Sequence, residues 1–268
     1  MDKYALITGT TSGIGKALSI RFAQENINLI LVSRNPKKLK KQARLISSKY
    51  KIKVNVIIAN LEEPNISFEI YNQVNQMGVK ISYLVNNAGF NQWGAFIDAD
   101  INNQINMIKV HIVNTTELMK LFIPEMIKSK YGRVLNIGST ASFIPCPNSS
   151  VYAATKAYIL SVSKAIGSEL KGTGITITTL CPGATYTEFA HKAGMEDTLL
   201  YHIFVMNKKT VANAGFKALM KGKTYVVPGV YNKLIIYLSK ILPDFITTSF
   251  SKMYLRRRKK LSCFKLPY

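Results

Sequence analysis

Seven short apolar runs alternate with longer helical patterns along almost the whole chain, and this alternation restricts the folds open to it. Most runs are continuous and rich in β-branched residues, as expected for parallel strands buried on both faces. They lie at 4–8, 27–32, 53–59, 81–86, 133–138, 175–181 and 224–228. Helical patterns lie at 13–25, 36–49, 66–77, 101–128, 151–170 and 210–221. The repeat predicts an α/β fold with a doubly wound parallel sheet and right-handed crossovers.

The first predicted strand leads into a glycine-rich turn, TGTTSGIG at 8–15, and then into a helix. Gly9 and Gly13 would let the backbone turn tightly and approach a pyrophosphate, while Gly15 would allow the helix to pack closely on the strand. The helix N-terminus offers unpaired N–H groups to an anion. Taken alone the glycines also fit an ordinary turn, but their position directly after a strand predicts a Rossmann-type dinucleotide site.

Further short motifs follow in order along the chain. They are NNAG at 86–89, Ser139 thirteen residues before Tyr152, YxxxK at 152–156 and PGATYT at 182–187. Together with the TGxxxGIG turn, they resemble the classical short-chain dehydrogenase/reductase (SDR) family over nearly the whole chain. The resemblance, closest to small-molecule and ketoacyl or ketosteroid reductases, implies a nicotinamide-dependent oxidoreductase.

The resemblance also implies which residues form the site. The expected catalytic residues are Ser139, Tyr152 and Lys156, with His111 standing where the family carries a catalytic Asn. The expected cofactor-binding residues are Gly9, Thr11, Ser12, Gly13, Ile14, Gly15, Arg34, Asn60, Leu61, Asn87, Ala88, Gly89, Tyr152, Lys156, Pro182, Gly183 and Thr187. No metal site is expected, because the three His and three Cys lack metal-ligand spacing.

Tyr152 and Lys156 stand one helical turn apart and can share a helix face. A cation about 4 Å from a phenol, in an effective dielectric of about 20, favours the phenolate by roughly 4 kcal/mol. We therefore expect the pKa of Tyr152 to fall from about 10 to near 7, where acid–base catalysis is efficient. Ser139 would hydrogen-bond the substrate oxygen. Tyr158 has no Lys one turn further on and is assigned to packing.

Two positions depart from the family pattern. The family Asn braces a water that relays protons to the Lys; a neutral His111 could hold that water through a ring nitrogen, whereas a charged His111 would repel Lys156. Asn114 is the alternative occupant of this role. We expect His111→Asn to retain or raise activity. Asn60 stands where the family usually has an Asp that contacts the adenine, so we expect that contact to be altered.

The end of the second predicted strand indicates which cofactor binds. It reads VSRN and lacks the carboxylate that would bind an adenosine 2′-hydroxyl. Arg34 can instead hold a 2′-phosphate through charge-assisted hydrogen bonds. The sequence therefore predicts NADP, the alternative being that Arg34 is an ordinary solvated surface residue.

The net charge of +22 is concentrated in two segments. Residues 34–53 hold nine Lys or Arg and no acid, and residues 192–268 hold fifteen bases and three acids. No RRM, zinc-finger or KH pattern accompanies this charge, so nucleic acid is not an expected partner. Solvated lysine-rich helices account for much of it, while an anionic membrane surface and an acidic carrier protein are the two partner classes that fit.

The chain is predicted to consist of a dinucleotide-binding domain, 1–229, and an amphipathic, basic C-terminal extension, 230–268. The apolar runs of the extension are too short and interrupted to span a membrane, and Arg256 begins a basic cluster that ends at Lys260. An interfacial helix on anionic lipid, a subunit-interface helix and a cap over the substrate pocket all fit this pattern. Residues 185–209 fall at the family's substrate lid, and their apolar character predicts an apolar substrate unless they simply pack on the sheet edge.

These patterns predict an NADPH-dependent reductase of a hydrophobic ketone or aldehyde. A 3-ketoacyl-thioester reductase of lipid metabolism is the enzymic alternative, and an NADP-binding regulator with weak catalysis is the alternative that His111 and Asn60 favour. The N-terminus lacks an apolar leader, which predicts a cytoplasmic protein, at most peripheral to a membrane. By analogy with the family, helices 101–128 and 151–170 would form the contacts of a homo-oligomer.

Overall fold

The computed structural model describes residues 3–201 and 205–256, within which seven strands form one parallel sheet. The strands are β1 Tyr4–Thr8, β2 Asn28–Ser33, β3 Val54–Ile58, β4 Ile81–Asn86, β5 Gly132–Ile137, β6 Ile175–Leu180 and β7 Tyr225–Val226. Their order is β3-β2-β1-β4-β5-β6-β7. The predicted α/β fold with a doubly wound parallel sheet is confirmed.

Helices cover both faces of the sheet. They are α1 Gly13–Ala23, α2 Pro36–Tyr50, α3 Ile66–Gln76, α4 Ile101–Ile108, α5 Asn114–Lys128, α6 Ser150–Glu169, α7 Phe189–Ala193, α8 Lys208–Met220, α9 Val230–Ser239 and α10 Asp244–Tyr254. Successive residues of β1 enter opposite cores: Leu6 packs in the apolar cluster with α3 and α5, while Ile7 packs in the cluster with α1, α2 and α8. The period of two along a strand explains why the apolar runs are continuous.

The strand order reverses between β1 and β4, and ligands of open α/β sheets bind outside the carboxyl ends of the strands at such a point. Here the two loops are tied together, because Thr8 Oγ1 accepts hydrogen bonds from the backbone N–H groups of Asn87 and Ala88, both at 3.0 Å. The side-chain amide of Asn87 donates back to the carbonyl of Thr8 at 2.8 Å. The crevice at this edge therefore has a rigid floor.

The helix predicted over 101–128 is divided by a π-helical turn, Lys109–Val113, between α4 and α5. Asn114 stabilises this turn, because its buried amide donates to the carbonyls of Lys109 at 2.8 Å and Leu61 at 2.7 Å. Its carbonyl oxygen accepts from the Ser67 hydroxyl at 2.8 Å. Asn114 is thus committed to holding the backbone, and the alternative in which it replaces the family's catalytic Asn is not supported.

The extension is folded against the domain rather than apart from it. Asn232 of α9 lies so close to Gly183 that a Cβ at position 183 would collide with its side chain. The indole N–H of Trp93 donates to the carbonyl of Leu255 at 3.0 Å. No helix within 3–201 or 205–256 has both the length and the apolar character needed to cross a membrane. Most of the predicted basic cluster, 257–260, lies outside the described residues, as do His202 and Cys263.

Candidate active site

A cavity of about 800 Å³ opens at the carboxyl edge of the sheet, and its walls bring together almost every residue predicted to form the site. All the predicted cofactor-binding residues line it, together with Ser139. His111 lies behind the wall, with 1% of its surface exposed. The sequence-based prediction of one continuous site is consistent with this geometry, since the loops that follow parallel strands meet at one edge.

The glycine turn fits the pyrophosphate of a nicotinamide dinucleotide. Gly9 adopts φ +68°, and a Cβ there would lie 2.8 Å from Cα of Ala88, so the left-handed backbone and the close approach both require glycine. α1 begins at Gly13, and the side chain of Ser12 before it makes no capping hydrogen bond. The N–H groups of the first turn therefore remain available to an anion in the cavity.

At its end near β2 and β3, the cavity is lined by polar and basic side chains. The Thr11 and Ser33 hydroxyls lie 3.1 Å apart, and Arg34 and Lys38 line the wall beside them. Arg34 is exposed and pairs with Glu62 at 2.9 Å. An exposed ion pair of this kind contributes only about 0–1 kcal/mol, so a phosphate can compete for the guanidinium. Asn60 Oδ1 accepts from the backbone N–H of Glu62 at 3.3 Å, which holds the loop after β3.

Ser139, Tyr152 and Lys156 meet at the opposite part of the cavity. Ser139 follows β5 and begins a 3₁₀ turn, and its hydroxyl accepts from the backbone N–H of Ala141 at 3.1 Å. The same hydroxyl lies close enough to the Tyr152 phenol to lower its pKa. Lys156 is buried, and its ammonium donates to the carbonyl of Ile137 at 2.9 Å. The same ammonium lies 5.6 Å from the centre of the Tyr152 ring. Two turns of the same helix, α6, thus place a phenol and a cation side by side.

The prediction that Lys156 lowers the pKa of Tyr152 towards 7 was wrong for the protein described here. Burial raises the pKa of Tyr152 above its ordinary value, and the nearby Ser139 hydroxyl offsets only part of that increase. Burial also lowers the pKa of Lys156 to about 8. The sequence-based expectation counted the charge of Lys156 but not the burial of the phenol, which has the larger effect, and the Lys156 ammonium donates to a backbone carbonyl.

His111 has partners on both ring nitrogens. Nε2 accepts from the backbone N–H of Phe90 at 3.1 Å, so Nδ1 carries the proton and donates to the Thr155 hydroxyl at 2.8 Å. Thr155 in turn donates to the carbonyl of Tyr152 at 2.7 Å. Burial, followed by the charge of Lys156, lowers the pKa of His111 well below its usual range, which keeps the ring neutral. Neither nitrogen is left to hold a relay water as the sequence-based hypothesis required.

Tyr158, assigned to packing from the sequence, bonds the Thr116 hydroxyl at 2.9 Å and is not part of the cavity wall. The lid segment does contribute to the wall: Phe189 lies beside Tyr152, with the two rings tilted and their centroids 5.8 Å apart, and Met195 and Tyr201 line the same space. Further apolar lining comes from the two tail helices and the loop between them: Tyr231, Leu234, Ile235, Leu238, Leu242 and Phe250. A cap over the substrate pocket was one of the three roles that the sequence left open for the tail, but the apolar pattern did not show which side chains would face the cavity.

Comparison with known proteins places these features in context. A family model described as short chain dehydrogenase matches residues 3–197. Very-long-chain 3-oxoacyl-CoA reductase-B of Danio rerio is 32% identical over 191 residues, which is 68% of this chain and 59% of the relative. This chain therefore spans less than two thirds of that protein. An uncharacterized oxidoreductase, YvrD, of Bacillus subtilis is 32% identical over 218 residues, or 78% of this chain and 82% of the relative.

Among solved structures, a short-chain dehydrogenase from Sphingobium yanoikuyae in complex with NADPH superposes with a TM-score of 0.78. It shares 27% sequence identity, and the match covers 89% of this chain and 94% of the other. The match covers more of this chain than residues 3–197, so the structural similarity extends past the segment matched by the family model.

Proposed function

Because the chain belongs to the short-chain dehydrogenase family, and is thus an oxidoreductase of a family that uses nicotinamide cofactors, we propose that it is an NADPH-dependent reductase of an apolar ketone or aldehyde. The observation that carries this proposal is that Ser139, Tyr152 and Lys156 line one cavity, with the Lys156 ammonium 5.6 Å from the centre of the Tyr152 ring. The apolar side chains from the lid and the tail support an apolar substrate, because each would otherwise face water.

NADPH, when bound, would supply the hydride to the carbonyl carbon. Tyr152 would give its proton to the carbonyl oxygen, and Ser139 would donate a hydrogen bond to the same oxygen as charge develops. The raised pKa of Tyr152 suits this direction, because the phenol keeps its proton at neutral pH. Lys156, whose ammonium lies 5.6 Å from the centre of the Tyr152 ring, would be the cation beside the resulting phenolate.

We assign His111 a positioning role rather than a catalytic one. Through Phe90 it holds the loop after β4, and through Thr155 it holds the first turns of α6, which carry Tyr152. The proton donor and the loop that carries Asn87, Ala88 and Gly89 would thereby keep a fixed distance. This function needs a neutral ring, which burial provides.

The decisive experiment follows NADPH absorbance with a panel of apolar ketones and aldehydes. We expect turnover with NADPH in preference to NADH, and a loss of at least about a hundredfold in Tyr152→Phe, because the variant has no proton to donate. Tyr158→Phe, a loss of the same hydroxyl from the same helix, should retain activity. Tight NADPH binding without turnover of any carbonyl would contradict the proposal and favour the regulatory alternative.

A 3-ketoacyl-thioester reductase is the second candidate, favoured by the similarity to a reductase named for very-long-chain 3-oxoacyl-CoA. The basic residues 34–53 would also suit an anionic carrier group. Matched substrates separate the two functions: reduction of a 3-ketoacyl-CoA but not of the corresponding simple ester would assign the thioester. Equal rates with both would leave the general reductase as the function.

A further inference from the structure

The helix α9 presents an apolar face to its surroundings, which is unusual for a helix at the surface of a folded domain. At about 100° per residue, Val230, Leu234, Tyr237 and Leu238 fall within an arc of roughly 100°. All four are exposed, and Ile241 just beyond the helix continues the arc with 64% of its surface exposed. Phe245 at the start of α10 is 72% exposed. We call these six residues the apolar rim.

The opposite side of α9 faces the protein. Ile236 is buried in a small core cluster with Leu160 and Val227, and Asn232 packs on Gly183. Between these two sides, Leu234 and Leu238 belong to the rim and also line the cavity. One helix thus separates the cavity from the surroundings, and its exposed leucines connect the two apolar surfaces.

Positive charge accompanies the rim. Lys233 and Lys240 fall next to the apolar arc on α9, and Lys252 is exposed on α10. Across the sequence 230–260 there are eight Lys or Arg and one acid, Asp244. Charge of this sign disfavours a contact between two identical rims, because their lysines would repel, and it favours an anionic surface.

We propose that the apolar rim sits on an anionic lipid surface, and that the cavity takes its substrate directly from that surface between α9 and α10. Exposed Ile, Phe and Val side chains beside lysines are the combination that holds an amphipathic helix in the interfacial layer of a bilayer. The second half of the proposal rests on the proposed reductase function; the first half does not. Contact with lipid would then cover the exposed parts of Leu234 and Leu238, which also line the cavity.

Sedimentation with vesicles tests the surface without cofactor or substrate. The protein should bind vesicles of phosphatidylcholine with phosphatidylglycerol, bind pure phosphatidylcholine less, and be released by salt. The double variant Ile241→Glu, Phe245→Glu should lose about tenfold or more in binding, because neither side chain lines the cavity and both lose apolar contact with lipid. Lys233→Gln and Lys240→Gln should each lose about fivefold.

Leu45→Glu is the matched control, since Leu45 is 62% exposed on α2, which packs beside β2 and β3 at the other end of the sheet. Vesicle binding that survives both glutamates in the tail, or that falls equally in the control, would overturn the proposal. A dimer that forms in solution and dissociates in the tail variant would assign the rim to a second copy. Binding to soluble polyglutamate but not to vesicles would assign it to an acidic protein.

Turnover measurements distinguish binding to the lipid surface from entry of the substrate through it. The tail variant should reduce a long-chain ketone dissolved in vesicles several-fold more slowly than the unaltered protein, and should reduce a small water-soluble ketone at an unchanged rate. An equal loss on both ketones would contradict entry from the lipid surface. If the unaltered protein reduces no ketone at all yet binds vesicles, the proposed function fails and the lipid surface stands.

Discussion

Position 111 holds a His where the family resemblance implies a catalytic Asn, and we propose a positioning role for this His. The family position carries a catalytic Asn in the resemblance, but the imidazole here is longer, and a Cβ on Gly89 would lie 2.6 Å from its Nε2. The ring therefore fills the space directly beneath the NNAG loop. Its two hydrogen bonds fix the Nδ1–H tautomer, so its influence on Tyr152 passes through Thr155.

The protonation of His111 predicts an acid sensitivity of the fold. The pKa of His111 is lowered in the folded protein, so below about pH 6.5 the unfolded state binds a proton that the folded state does not. The free energy of unfolding therefore decreases as the pH is lowered through that range. Between about pH 7.5 and about pH 5.5, this one group removes about 1.4 kcal/mol. Urea unfolding of His111→Asn should show that part of the loss abolished.

His111→Gln is the second variant for this measurement, since it also replaces the imidazole by a side chain that does not ionise. Both variants should lose the same part of the acid dependence. If His111→Asn shows the same pH slope as the unaltered chain, His111 is not held neutral in the fold, and its assignment as a positioning residue fails with it.

Arg34 carries the choice of cofactor in our proposal. Arg34→Ala removes a charge-assisted bond to the 2′-phosphate, which is typically worth about 1.5–3 kcal/mol, so the KM for NADPH should rise by roughly tenfold to a hundredfold. The KM for NADH should change little. Arg44→Ala removes the same charge from an exposed position on α2 and should leave both constants unchanged. An equal change for both cofactors would argue against a contact with the 2′-phosphate.

At the scale of elements, the π-helical turn between α4 and α5 depends on one side chain. Asn114→Ala removes three buried hydrogen bonds and leaves the carbonyls of Lys109 and Leu61 without that partner, which should cost about 2–4 kcal/mol. A thermal shift would record a drop of roughly 5–15 °C. Asn102→Ala, at an exposed position of α4, should lower Tm by no more than about a degree or two. A drop in Tm as large as that of Asn114→Ala would show that the hydrogen bonds of Asn114 are not the cause of its effect.

The elements also show why sequence patterns succeeded in part. All seven strands were predicted because buried parallel strands are continuous apolar runs, and the site followed because their carboxyl ends converge. The π turn was not predicted, since an inserted residue leaves the apolar pattern of 101–128 almost unchanged. The pKa of Tyr152 was mispredicted because a spacing of four residues brings Lys156 near the ring but does not show how deeply the phenol is buried.

At the scale of the whole molecule, the two basic segments belong to opposite edges of the sheet. The first follows β2 and lines the cavity through Arg34 and Lys38, and the second includes the tail that follows β7. Net charge from the sequence predicted an anionic partner but not where it would bind. The fold places the two basic segments apart. The first lies beside the expected site of the cofactor phosphate, and the lysines of the second lie next to the apolar rim.

The indole of Trp93 donates a hydrogen bond to the carbonyl of Leu255, so the fluorescence of Trp93 reports on the position of the tail in solution. Trp93 is the single tryptophan of the sequence, and it packs in the cluster that contains Leu255 and Met195. Its fluorescence emission therefore comes from one place, the seam where the end of α10 meets the loop after β4. A red shift of that emission would report the seam opening to water, and following the emission over time after mixing with lipid would give the rate of that opening without any attached dye.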